Sequence, residues 1–120
     1  MSDIEIVRAT RPPNRDKMNA LLTPYYDGMI RNLVSIGGPE PDASLAVADF
    51  WQNVDQFLPP AGCLLIARKG DTWLGTGALR SLPGRKGELK RLYVRPEARG
   101  TGLGRRLVTE RIAVARKMGL

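Results

Sequence analysis

Ile4 and Ile6 alternate with Glu5 and lead to Arg8, a period of two that predicts a short first strand. After the turn Arg11-Pro12-Pro13-Asn14, with Asn14 placed as an N-cap, the period lengthens. Met18, Leu21, Leu22, Tyr25, Tyr26, Met29 and Leu33 follow helical spacing. Pro24 falls inside this run. Its missing N–H and its crowding of the Ala20 carbonyl predict a kink or a break. Gly37-Gly38-Pro39 ends the segment. A second helix opens at Pro41-Asp42-Ala43-Ser44 and presents Val47, Trp51, Val54 and Leu58, with Phe50 and Phe57 adjoining, until Pro59-Pro60-Ala61-Gly62 stops it.

The pattern then changes to strands. Cys63 to Lys69, the tight turn Gly70-Asp71 and Trp73 to Leu82 read as a hairpin, and a further turn over 83–87 leads into a strand from Glu88 to Arg95. In that strand Leu89 stands at an odd position whereas Leu92 and Val94 are even, so a regular strand would split them between two faces. One extra residue near Lys90-Arg91 would reunite them, which predicts a β-bulge there. A last helix runs from about Gly102 to Met118, with Leu103, Leu107, Val108, Ile112, Val114, Ala115 and Met118 filling about half the wheel. Arg111 falls inside the apolar half, where it must snorkel or find a partner. Gly119 suits the end of that helix. Trp51 and Trp73 read as core.

Composition narrows the chemistry. The 120 residues suit one domain, and the 42% hydrophobic content fits a globular fold. No apolar run is long enough for a membrane span and no secretory leader is evident, so a cytoplasmic setting is expected. Cys63 is the only cysteine, with apolar neighbours that suggest a buried thiol. There is no histidine, which excludes Ser-His-Asp and Cys-His catalysis within the sequence and the common His-bearing zinc sites, so no metal is expected. The net charge of +7 is unevenly placed: residues 80–120 hold 12 Lys/Arg against 3 Asp/Glu, whereas residues 1–79 hold 7 against 9. An anionic ligand, an acidic partner or nucleic acid would each account for the basic half.

That half contains ARGTGLGRRL, Ala98 to Leu107, between a strand and a helix. The order strand, glycine loop, helix aims unpaired backbone N–H groups and the positive end of a helix dipole at one point, and glycine lets a phosphate approach closely. Arg99, Arg105 and Arg106 add charge. A tight basic turn at a helix N-terminus is the alternative. A Walker loop is ruled out because no Gly-Lys-Ser/Thr follows a four-residue gap, and the dinucleotide pattern G-x-G-x-x-G fails because it needs glycine where Arg105 stands.

The longer stretch ELKRLYVRPEARGTGLGRRLVTERIAVARKMG resembles the acetyl-CoA-binding motif of the GNAT superfamily of N-acetyltransferases. That family's signature, Arg/Gln-x-x-Gly-x-Gly/Ala, falls on Arg99, Gly102 and Gly104. The resemblance implies an α/β (α+β) fold with a mixed, mainly antiparallel sheet and flanking helices. It implies transfer of an acetyl group from acetyl-CoA to a primary amine, small molecule or protein, by direct attack on the thioester. The bulged strand would place Leu92, Tyr93 and Val94 along the pantetheine. Arg99, Gly100, Thr101, Gly102, Leu103, Gly104 and Arg105 would cradle the pyrophosphate. A backbone N–H on the bulged strand, at Leu92, would polarise the thioester carbonyl. Glu88 matches a glutamate that acts as general base in some members, and its alternative is a strand-end acid between Lys86 and Lys90. Tyr25 and Tyr26 lie in the region that often borders the acceptor site, although their spacing also fits core packing.

The family continues beyond this helix with another strand, a helix and further strands, one wall of the cofactor cleft among them. The sequence reaches only Leu120, so a fragment of a longer protein is expected, with completion by a second chain as the other explanation. The strand from Glu88 would otherwise have an open edge, which a homo-oligomer would cover. A non-catalytic basic module that binds nucleic acid or an acidic partner is the competing function, disfavoured because aromatics other than Tyr93 are not interleaved with the basic run.

Overall fold

The computed structural model describes residues 3–120. Strand β1 (Glu5–Arg8) is followed by helices α1 (Arg15–Ser35) and α2 (Ala43–Gln52), strands β2 (Gly62–Lys69), β3 (Thr72–Leu82) and β4 (Lys86–Val94), and helix α3 (Leu103–Lys117). The four strands form one antiparallel sheet in the order β1-β2-β3-β4. No helix of the described residues is long and apolar enough to cross a membrane.

The sheet is covered on both faces, and the strand period sorts side chains between them. Leu64 and Ala78 join Met18, Leu22, Phe50 and Phe57 in a cluster beneath α1 and α2. Cys63, Leu65, Ala67 and Leu79 join Leu103 and Leu107 beneath α3. Strand β2 is central and buried from Gly62 to Ala67, which explains its continuous apolar run rather than an alternation. Burial pushes the Cys63 thiol up from its ordinary range, so this cysteine serves as a small core residue.

The helix starts match their caps. Asn14 Oδ1 accepts the Lys17 N–H at 2.9 Å, and Asp42 Oδ1 accepts the Ser44 N–H at 2.9 Å. Asn14→Ala is expected to lower stability by about 1 kcal/mol, measured by urea unfolding. Of the kink or break expected at Pro24, the break does not occur: α1 is helical from Arg15 to Ser35. Ala20, whose carbonyl loses its partner to the proline, is exposed, so water can serve that oxygen. The apolar face of α1 is also shorter than its spacing predicts. Met18, Leu21 and Leu22 are buried, but Met29 and Leu33 are exposed.

The second helix differs more. It ends at Gln52 and resumes as a separate turn over Val54–Phe57. Asn53 stands at the break as the cap of α2: its backbone N–H donates to the carbonyls of Asp49 and Phe50, and its Nδ2 donates to Asp49 O at 3.0 Å. The rotated turn stacks Phe57 on Phe50 with centroids 5.9 Å apart. Strand β4 begins at Lys86, two residues before the expected Glu88.

Candidate acyl-transfer site

The expected bulge is present. Thr76 pairs with Tyr93 and Ala78 with Lys90, so Gly77 alone stands opposite Arg91 and Leu92. Arg91 adopts φ +54°, the left-handed conformation that a non-glycine residue takes at some cost. With the extra residue, Leu89 and Val94 share the α3 side, and Leu92 is exposed. Leu89 lies beside Ile112 and Leu120, and Val94 packs in the same α3-side cluster.

Two arginines hold the bulge from opposite faces. From α3, Arg111 is buried and donates Nη1 to Ala78 O at 3.0 Å and to Lys90 O at 3.2 Å, with Nε on Leu107 O at 3.1 Å. Its charge on the apolar half of the helix is therefore spent on backbone carbonyls flanking the bulge, rather than brought to the surface. Gly77 makes room for it: a Cβ there would stand 2.9 Å from Arg111 Nε. On the other face the Arg91 side chain is buried, donates Nε to the Tyr26 hydroxyl at 2.9 Å, and lies 4.6 Å from the Phe57 ring centroid and 5.3 Å from that of Phe50. Its Nη1 is buried without a hydrogen-bond partner among the described residues. Tyr26 packs partly buried in the core cluster beneath α1 and α2, and Tyr25 meets it edge-on at 5.0 Å. Burial, with Tyr26 adding to it, pushes the Tyr25 phenol up from its ordinary value.

Glu88 lies on the α2 side of the strand. Its Oε1 is 2.6 Å from Arg80 Nε, the residue directly opposite on β3, and 4.0 Å from Lys90 Nζ. Arg80 also donates Nη1 to Gln56 Oε1 at 3.0 Å. The carboxylate is thus oriented by a cross-strand guanidinium, with an amine beside it.

From Val94 the chain turns through a short helical turn, Pro96–Ala98, into the glycine loop. The Arg95 N–H donates to Leu74 O at 2.8 Å, which pins the exit from β4. Arg99 Nε donates to Val94 O at 2.9 Å, and its guanidinium carbon lies 5.8 Å from the Tyr93 ring centroid. Thr101 Oγ1 donates to Ala98 O at 2.6 Å. Gly100 and Gly102 take φ of +81° and +84°, conformations that only glycine adopts without strain, and a Cβ at either would meet open space. Gly102 caps α3, whose first intrahelical bond runs from the Arg106 N–H to Gly102 O at 3.1 Å. The N–H groups of Leu103, Gly104 and Arg105 therefore belong to the open first turn. The Leu103 side chain is buried, so only its backbone faces the loop, whereas the Arg105 side chain is exposed. Arg106 turns away and donates Nη1 to Ile4 O at 3.3 Å.

The candidate residues thus form one path. The bulge at Arg91-Leu92, the strand segment Tyr93-Val94, the loop from Arg99 to Gly102 and the first turn of α3 follow each other along the edge strand, with Glu88 before the bulge. Sequence reasoning gave no role to the side chains of Arg91 and Arg80, and for Arg111 it left snorkelling or an unnamed partner open. For Arg111 a signal existed in Gly77 of β3, which leaves space under the one charged residue of an otherwise apolar helix face. Much of the basic excess is also internal. Arg91 and Arg111 are buried, and Arg80, Arg95, Arg99 and Arg106 bind groups of this chain.

A bulged edge strand that leads into a glycine-rich helix N-terminus, on an antiparallel sheet covered by helices on both faces, defines a class of acyl-CoA-binding folds. The profile of the Acetyltransferase (GNAT) family matches residues 17–120, and the chain belongs to that family. It is 44% identical over 79 residues to an uncharacterized N-acetyltransferase of Schizosaccharomyces pombe, covering 58% of this chain and 48% of the relative. It is 30% identical over 99 residues to an IAA acetyltransferase of Azospirillum brasilense, covering 82% of this chain and 65% of the relative. The chain thus spans about half to two thirds of the length of these relatives. Among solved structures, an acetyltransferase of the GNAT family from Staphylococcus aureus superposes with a TM-score of 0.74 at 16% identity, over 95% of this chain and 66% of that one. The protein yncA of Salmonella typhimurium, solved with its cofactor acetyl-CoA, superposes with a TM-score of 0.63 at 22% identity, over 98% and 66%.

Proposed function

We propose that this chain is the acetyl-CoA-binding part of an N-acetyltransferase that transfers an acetyl group to a primary amine. The observation that carries the reading is the unbroken path from the bulge to the first turn of α3, locked by Arg99 on Val94 O. The loop amides from Arg99 to Arg105 receive the pyrophosphate at the positive end of the helix dipole. Leu92, Tyr93 and Val94 flank the pantetheine, and the Leu92 N–H donates to the thioester oxygen as charge builds there. The acceptor amine attacks the thioester carbon directly. Glu88, oriented by Arg80, takes the proton that an ammonium must lose before attack, at once or through water. IAA acetyltransferase is the name of a relative and does not fix the acceptor here.

Residues 1–120 form part of a single N-acetyltransferase domain, in a cytoplasmic setting. The family relationship and the shorter span against both relatives support this reading.

Titration calorimetry tests the proposal. Acetyl-CoA and coenzyme A are expected to bind saturably, and S-acetylpantetheine, which lacks the pyrophosphate, far more weakly. No heat at millimolar acetyl-CoA would overturn the reading. Binding of DNA or RNA that falls steeply with salt, in place of acetyl-CoA binding, would instead favour a basic nucleic-acid module.

A further inference from the structure

We propose that Lys90 is a self-acetylation site, with its side-chain amine taking the acetyl group from acetyl-CoA bound along β4. The inference rests on the cofactor reading above. Lys90 immediately precedes the bulge pair Arg91-Leu92, so its stem starts close to the amide assigned to the thioester oxygen. Its side chain is one-third exposed, which leaves the amine accessible and the stem partly ordered. Its cross-strand partner, Ala78, is small and does not crowd it. The Nζ lies 4.0 Å from Glu88 Oε1, the carboxylate already assigned to accept a proton.

The chemistry needs a neutral amine, and the surroundings favour one. Burial, and then the guanidiniums of Arg91 and Arg80, hold the Lys90 ammonium below its ordinary value, against the opposing pull of Glu88 and Asp49. In the step, the Nζ lone pair forms the N–C bond to the acetyl carbonyl carbon and the C–S bond breaks. Coenzyme A leaves as the thiolate. The proton released by the nitrogen passes to Glu88 or water and then to the thiolate, so the products are an acetyl-lysine amide and free coenzyme A. No further reactant is required.

The other lysines provide internal references. Lys86 begins β4 at its exposed end, and Lys17 Nζ is engaged with Asp71 O at 3.0 Å. The test is to incubate the purified chain with acetyl-CoA and follow each lysine by peptide mass spectrometry, beside calorimetry on the same sample. Lys90 is expected to acquire the acetyl group at least about tenfold faster than Lys86, a modest fraction of what positioning and general-base assistance contribute. The preference is expected to vanish in urea. Glu88→Gln is expected to slow labelling of Lys90 without slowing that of Lys86. Binding with Lys90 labelled no faster than Lys86, or equally fast in the unfolded chain, overturns self-acetylation and leaves the cofactor reading standing. Absence of binding overturns both. Lys90→Arg, which keeps the charge, is expected to remove the fast label while acetyl-CoA still binds.

Discussion

Gly102→Val is expected to weaken acetyl-CoA binding about hundredfold while the sheet stays folded. Gly102 is both the N-cap of α3 and a left-handed residue at φ +84°. A β-branched side chain in that conformation costs about 1–2 kcal/mol. The chain escapes the cost by rotating the Thr101–Gly102–Leu103 peptides, and those rotations turn loop amides away from the pyrophosphate position. Hydrogen bonds from such amides to a charged group contribute about 1.5–3 kcal/mol each. Losing one or two of them accounts for roughly 3 kcal/mol, or about hundredfold. The effect is not one of packing, because a Cβ at Gly102 meets open space. Asparagine tolerates the left-handed region, so Gly102→Asn is expected to lose less than about tenfold. Gly104 provides a second contrast. Its backbone is ordinary helix and its Cβ would make only a 3.8 Å contact with Val94 Cγ2, so Gly104→Ala is expected to be nearly silent. Calorimetry with acetyl-CoA on the three variants, with circular dichroism as the fold control, checks the order. Equal binding by Gly102→Val and Gly102→Asn would show that backbone conformation at this residue does not set the anion site.

The elements that position this site are largely legible in the sequence, and the reason is local. The bulge follows from the parity of Leu89 against Leu92 and Val94, a conflict internal to one strand. The open start of α3 follows from glycines between a strand and a helix. What stays hidden depends on residues far apart in sequence. Arg91 meets Tyr26 across 65 positions and Arg111 meets Ala78 across 33, and no period within one element encodes either pair. The break at Asn53 escapes the pattern for a different reason. The apolar spacing runs on through Val54 and Leu58, while the side-chain bond of Asn53 to the Asp49 carbonyl competes locally with the helix. Pro24 is the opposite case, since a proline is tolerated where the residue whose carbonyl it abandons, Ala20, is exposed. Glu88 is held by Arg80, opposite it on β3, a cross-strand partner that the pattern of β4 alone does not encode. Tyr26 packs against the core and anchors the bulge residue Arg91.

Arg111→Met is expected to lower unfolding free energy by about 2 kcal/mol and to loosen the bulge more than the rest of the sheet. Methionine replaces most of the buried volume but leaves the carbonyls of Ala78 and Lys90 without the donor they share. Each unsatisfied buried carbonyl costs about 1–3 kcal/mol. Part of that is offset, because burial already disfavours the charged guanidinium, lowering Arg111 from its ordinary value, and methionine carries no charge to desolvate. Urea unfolding gives the net change, and amide exchange gives its location. The N–H groups of Arg91 and Leu92 are expected to exchange faster in the variant, with little change in β2. Gly77→Ala attacks the same contact from the other side, since its Cβ would stand 2.9 Å from Arg111 Nε and 3.2 Å from Cζ. If the arginine is what makes glycine necessary at 77, that substitution is costly in the parent chain and cheap in the Arg111→Met background, a coupling of roughly 1 kcal/mol or more in a double-mutant cycle. Additive costs, or an Arg111→Met chain within about 0.5 kcal/mol of the parent, would mean that the strand keeps its bulge without the clamp. The acyl-transfer geometry would then rest on Arg91 and its anchors, Tyr26, Phe50 and Phe57, alone.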